Sequence, residues 1–347
     1  MDSRNPLFER SGKLESNALL LYNRSARVPG HTEVNTFEFY RFRFHFRAIG
    51  TVHLPAGKGA NLVRGVFGAA LRETAGAAEY RRLFEPGAGL RETAGAAEDR
   101  RLSEPGAAGG KSPSGLADWP RPFVFRAAHL EGATIPPGDS FFVDVHVFHA
   151  AAPALGLWRR AFARLAENGI GPGRGRAVLE RVEQLDPEDR GWTVGDAAGA
   201  PSVVALSQLP ADRPGGLSYC RVRFATPTEL KWEGHTVARP EFGILFARLR
   251  DRIATLRALY GAGPLEMDFA GSGERAARVR LAHSDLHYQS AERRSRRTGQ
   301  AHPLGGFTGD AEYQGELAEF LPWLRAARWV GVGRQTVWGK GDLRVIP

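Results

Sequence analysis

The chain has 347 residues, long enough for two domains that each bury a core, and carries a formal charge of +9 with a pI near 10.1. Arginine greatly outnumbers lysine, and a planar guanidinium with bidentate donors suits nucleic acid better than a generic solubility charge. One cysteine, Cys220, excludes an intramolecular disulfide framework and a cysteine-rich zinc site, and no apolar run reaches the length of a membrane span, so a cytoplasmic protein without membrane contact is expected.

Residues 1–35 show little periodicity and read as an N-terminal arm. From Tyr40 the alternation is clean: Tyr40, Phe42, Phe44 and Phe46 fall on one face, Arg41, Arg43, His45 and Arg47 on the other. That pattern predicts a strand with an apolar core face and an open cationic face suited to a polyanion. A loop through His53 and Pro55-Ala-Gly-Lys-Gly59 leads to a helix over 62–72, with Leu62, Val66, Phe67 and Leu71 on its buried face. The stretch Leu71–Gly89 then recurs almost verbatim from Leu90 to Gly109. Two copies do not make a solenoid. Asp99 stands where the first copy has Tyr80, and Ser103 where it has Phe84, so the second copy is expected to loop out at the surface.

Strands follow over 123–127 and 140–148, then a helix over 154–165, the Gly-rich loop 169–176 and a strand from Ala177. Residues 184–216, rich in Pro, Gly and Asp, read as a linker with room for a small hairpin. The same order then returns: a strand over 219–224, a helix marked by Phe242, Leu245, Phe246, Leu249, Ile253, Leu256 and Tyr260, strands near 277–288 and 305–314, a helix over 317–325, and a Gly-rich loop before a last strand from Leu343. Each half is one βαββαβ unit, which predicts an α+β fold of two tandem ferredoxin-like (RRM-like) domains, 36–183 with 90–118 as an inserted duplicated loop, and 217–347.

In the terminal loop, Gly331/Gly333 and Gly339/Gly341 bracket Arg334 and Gln335, and Lys340 sits inside the second pair. Alternate glycines expose backbone N–H groups and allow φ > 0, a composition suited to gripping a phosphate backbone. It is not a dinucleotide fingerprint, since the third glycine is missing and a strand follows, and Pro55-Ala-Gly-Lys-Gly59 lacks the spacing of a nucleotide P-loop. His283, Asp285 and His287 fall in a segment read as a strand, where helical metal-ligand spacing has no meaning.

The order of elements and several motifs resemble the CRISPR repeat endoribonuclease family of the RAMP superfamily. The C-terminal set carries the resemblance: Arg293-Arg-Ser-Arg-Arg297, Pro303-Leu-Gly-Gly-Phe-Thr-Gly309, Tyr313-Gln-Gly-Glu-Leu317, Phe320-Leu-Pro-Trp-Leu324 and Gly331-Val-Gly…Gly339-Lys-Gly341. In the first half, the run from Lys58 to Gly68 and Phe84-Glu-Pro86 look like the family's first helix and next landmark. The likeness implies an endoribonuclease that cuts precursor CRISPR RNA within its repeats, working as a monomer or homodimer, alone or beside other CRISPR effector subunits; the missing cysteines and the lack of a carboxylate cluster predict that it needs neither metal nor cofactor. Some relatives carry cysteines between the first helix and the second strand, and without them no zinc is expected. This chain has none there, and Trp329 and Val330 occupy the place where some relatives carry a histidine before the terminal loop.

Transesterification of RNA needs a base for the 2′-OH, a proton for the leaving 5′-oxygen and a cation for the phosphorane charge. His53 is the candidate base or acid, with His45 the alternate, and Lys58 the candidate phosphate stabiliser. Candidate RNA contacts are Arg41, Arg43, Arg64, Arg293, Arg294, Arg296, Arg297, Gly331, Gly333, Arg334, Gln335, Gly339, Lys340 and Gly341. Two other readings stay open: a non-catalytic RAMP subunit that binds guide RNA, and a generic RNA-binding protein of RRM-like domains. The second would need exposed aromatics where the first strand carries Arg and His.

Overall fold

The computed structural model describes residues 35–84, 120–207, 217–290, 292–294, 301–303 and 305–346, with backbone alone at 292–294 and 301–303. The second repeat copy, Leu90–Gly109, lies outside the described residues, as do the arm before residue 35 and both Arg296 and Arg297. The described chain forms two compact units, one of Glu38–Ser202 with Val337–Gly339 and the other of the remaining residues.

In the first unit, β1 (Thr36–Ala48) lies at the centre of a sheet with β2 (Phe123–Arg126), β3 (Ser140–Val147), β4 (Ala177–Leu185) and β5 (Gly191–Val194), in the order β2-β3-β1-β4-β5. The alternation of β1 sends Tyr40, Phe42, Phe44 and Phe46 into the core, opposite Val147, Val145, Val143 and Phe141 on β3. Two helices supply the rest of that core, α1 (Gly59–Phe84) and α2 (Leu155–Asn168). Phe44 meets Phe162 at 4.1 Å between ring centroids, and Phe67 stacks on Trp158 at 4.7 Å.

Helix α1 is longer than its apolar stripe predicts. It breaks at Gly76, whose φ of 77° a residue with a Cβ adopts only under strain, and resumes through the first repeat copy. Beyond the break Leu83 and Phe84 are buried, and Phe84 packs 5.1 Å from Phe123 and 5.0 Å from Tyr80. The apolar residues special to the first copy are thus part of the core. Past β4 the chain turns on Asp186, whose carboxylate accepts from the N–H groups of Glu188 and Arg190, and β5 pairs back on β4 as an antiparallel hairpin.

The second unit repeats the plan with β6 (Tyr219–Thr228), α3 (Phe242–Tyr260), α4 (Phe269–Arg278), β7 (Arg280–Gln289), β8 (Gly306–Gln314), α5 (Leu321–Val330) and β9 (Leu343–Ile346), its sheet ordered β7-β8-β6-β9. Phe242, Phe246, Phe320, Tyr313 and Trp323 form an edge-to-face aromatic core between sheet and helices. Helix α4 has no counterpart in the sequence prediction, because it buries only Ser272 and Ala276 and so shows no apolar stripe; Asp268 caps it by accepting from Gly271 N–H. Both sheets place the first and third strands of a βαββαβ unit at the centre with the second and fourth outside. The fold is two ferredoxin-like domains in tandem, α+β in class. No described helix is long and apolar enough to cross a membrane.

Candidate functional site

His53 and Lys58 lie on the path from β1 into α1. Val52–His53 forms a two-residue strand against Thr134–Ile135, with His53 opposite Thr134. Val52 and Leu54 are fully buried, whereas His53 between them is exposed, so the strand's own alternation turns the imidazole outward. Its Nδ1 lies 3.0 Å from Oγ1 of Thr134. Lys58 is exposed at the start of α1, and the carboxylate of Glu131 accepts from the N–H groups of Lys58 at 2.9 Å and Gly59 at 3.0 Å. Two N–H groups at this helix terminus are therefore met by a side chain from across the fold. The first Gly-rich loop packs against the same strand: a Cβ at Gly171 would stand 2.1 Å from His53 O, and one at Gly175 2.1 Å from Thr51 O.

The face of β1 opposite the core is not the open cationic surface that the alternation predicts. Arg41 is buried and bonds Asp186 O and the carboxylate of Asp189. Arg43 makes two 2.8 Å bonds to Asp144 and lies 3.9 Å over the Phe142 ring. His45 Nε2 is 2.8 Å from Glu183 Oε2, and Arg47 is paired with Glu180. Carboxylates from β3, β4 and the turn after it partner every member of the row, so Arg41 and Arg43 hold the sheet together. His45 is tied to a carboxylate where His53 is held by a hydroxyl. Arg64, on α1, is flanked by the rings of Phe84 at 5.3 Å and Trp338 at 5.5 Å.

The terminal loop also differs from its predicted form. Gly331, Gly333, Gly339 and Gly341 take φ of 72°, 81°, 78° and 70°. The close approaches they permit are to protein: a Cβ at Gly341 would stand 2.0 Å from Val332 O, one at Gly333 2.4 Å from Glu229 O, and one at Gly339 2.6 Å from Cβ of Ala60. The N–H groups of Gly331, Val332, Arg334, Gly341 and Asp342 donate to Ala327, Gly341, Glu229, Pro227 and the Thr226 hydroxyl. Val337 belongs to the hydrophobic core of the first unit, and Lys340 is 6% exposed. Arg334 remains at the surface, paired with Glu229 at 3.1 Å, beside Gln335 at φ 61°. Arg293 and Arg294 lie on a short strand, Glu292–Arg294, that faces Ala301–Pro303.

Sequence reasoning missed a charged row on the second sheet. Asp310 on β8 accepts from Arg221 and Arg223 on β6, and the Arg223 hydrogen bond, with Arg221 and against the cost of burial, holds its carboxyl down at about 2. His283, Asp285 and His287 are exposed at alternate positions of β7, with 3.9 Å between His287 Nδ1 and Asp285 Oδ1.

Comparison with known proteins is consistent with these features. Residues 37–205 match a family model described as an N-terminal domain, and residues 222–343 match the family model of the CRISPR-associated endoribonuclease Cas6. No curated protein sequence matches. Among solved structures, a Cas6 product complex is similar at 16% identity over 89% of this chain and 99% of that one, with a TM-score of 0.49. Cas6 of Thermus thermophilus is similar at 15% over 89% and 98%, with a TM-score of 0.49. A partial Cas6-RT-Cas1–Cas2 complex is similar at 12% over 90% of this chain and 47% of that one, with a TM-score of 0.51, a likeness of fold. Residues 222–343 thus carry the domain of the CRISPR-associated endoribonuclease Cas6 family, and both halves carry the ferredoxin-like fold.

Proposed function

We propose that the protein cuts precursor CRISPR RNA within its repeats by attack of a 2′-oxygen on the adjacent phosphorus, leaving a 2′,3′-cyclic phosphate and a 5′-hydroxyl, without a divalent metal. The observation that carries this reading is His53: an exposed imidazole fixed by strand pairing and by a hydroxyl at Nδ1, with the exposed Lys58 five residues on. A general base takes the 2′-OH proton as the O2′–P bond forms, and an acid supplies a proton to O5′ as the P–O5′ bond breaks. Histidine serves either role near neutral pH. Lys58 would balance the charge on the non-bridging oxygens, with its backbone held by Glu131. His45 is the alternate, and its 2.8 Å contact with Glu183 would have to open first. Arg334 and the arginines Arg293, Arg294, Arg296 and Arg297 are the proposed contacts to the RNA backbone.

The test is incubation with the cognate repeat RNA in EDTA, followed by end-group analysis. Cleavage to a cyclic phosphate, blocked by a 2′-deoxy substitution at the scissile nucleotide, supports the reading. A magnesium requirement or a 3′-hydroxyl product overturns it.

A further inference from the structure

Outside the two residues proposed for chemistry, one short segment touches both. Residues 131–135 bring Glu131 to the N–H groups of Lys58 and Gly59 and Thr134 to the ring of His53. Four backbone hydrogen bonds or ladder positions fasten that segment to the loop between β1 and α1: Leu54 N–H donates to Ala133 O at 2.9 Å, Gly132 N–H to Leu54 O at 2.8 Å, and Val52 and His53 pair with Ile135 and Thr134. Gly171 closes the other side, with room for no side chain against the His53 carbonyl.

We infer that Thr134 is a positioning residue: its hydroxyl orients the His53 ring through Nδ1 and so makes Nε2 the atom that exchanges protons with RNA. The inference rests on the proposed role of His53. The chemistry of the partner matters. A hydroxyl both donates and accepts, so it can take a hydrogen bond from Nδ1–H or give one to an unprotonated Nδ1. It can hold the ring in one orientation through base and acid forms alike. A carboxylate only accepts, and that is the partner His45 has in Glu183.

Positioning of this kind is separable from folding. Thr134 is exposed, so Thr134→Val removes the hydroxyl without opening the core, and Thr134→Ser restores it. The experiment measures single-turnover cleavage of repeat RNA and, separately, the Kd for a 2′-deoxy repeat RNA that cannot be cut. Thr134→Val should cleave slower by about tenfold, the scale of loss when a group that orients a functional imidazole is removed, with Kd unchanged and Thr134→Ser close to wild type. In a His53→Ala background, Thr134→Val should cause no further loss, because the hydroxyl would then have nothing to orient. Thr134→Val cleaving at the wild-type rate beside a slow His53→Ala overturns this inference and leaves the role of His53 standing. An equal loss in both backgrounds, or a loss that Thr134→Ser does not restore, also overturns it. His53→Ala cleaving at the wild-type rate overturns both.

Discussion

Arg43 and Asp144 sit directly opposite each other on β1 and β3, joined by two hydrogen bonds of 2.8 Å. The guanidinium that looked available to a polyanion is a structural group, and Asp144 beneath it is 9% exposed. Arg43→Ala would leave that carboxylate buried without its partner, at a cost of about 1–3 kcal/mol. Denaturant unfolding should show the loss. The salt dependence of RNA binding should not change, since a phosphate contact removed would lower its slope by about one unit.

A second prediction concerns pH. Asp310, held at about 2 chiefly by Arg223, has its folded pKa depressed below that of an unfolded aspartate. Its contribution to stability is therefore complete above about pH 4 and is lost as pH falls through 2. Asp310→Asn should melt lower than wild type at pH 7, and the difference in Tm should shrink steadily between pH 4 and 2. A constant difference across that window would mean that the ion pair with Arg221 and Arg223 is not the source.

The tandem fold was legible in the sequence because β1 alternates with period two and its aromatic residues leave no doubt which face is buried. Alternation names a face but not what lies opposite it. Asp144, Glu183 and Asp189, the partners of Arg43, His45 and Arg41, stand 101, 138 and 148 residues away. The glycines of the terminal loop were legible as positions of positive φ, yet composition could not say whether phosphate or protein would come close. Thr134 lies 81 residues from His53 on a strand of two residues, too short for any periodicity.

Gly339→Val tests what the terminal glycines serve. At φ 78° with Ala60 2.6 Å from the new Cβ, the substitution should cost about 1–3 kcal/mol of stability. Thermal unfolding should show it without RNA present. An unchanged Tm with weakened RNA binding would return the glycine to the phosphate-binding role.

The repeat offers a paired test. Deleting Leu90–Gly109 should leave Tm and cleavage rate unchanged, while Tyr80→Ala in the first copy should destabilise, because Tyr80 stacks on Phe84 and carries Arg72 at 3.9 Å over its ring. A deletion protein that melts markedly lower would show that the second copy is packed as well.

The proposed chemistry meets its most direct test in His53→Ala, assayed for single-turnover cleavage of repeat RNA and for binding of the 2′-deoxy repeat. Binding should match wild type, and cleavage should fall by on the order of 10²–10⁴-fold, the contribution of a general acid or base. Cleavage at the wild-type rate would contradict the account and pass the role to His45.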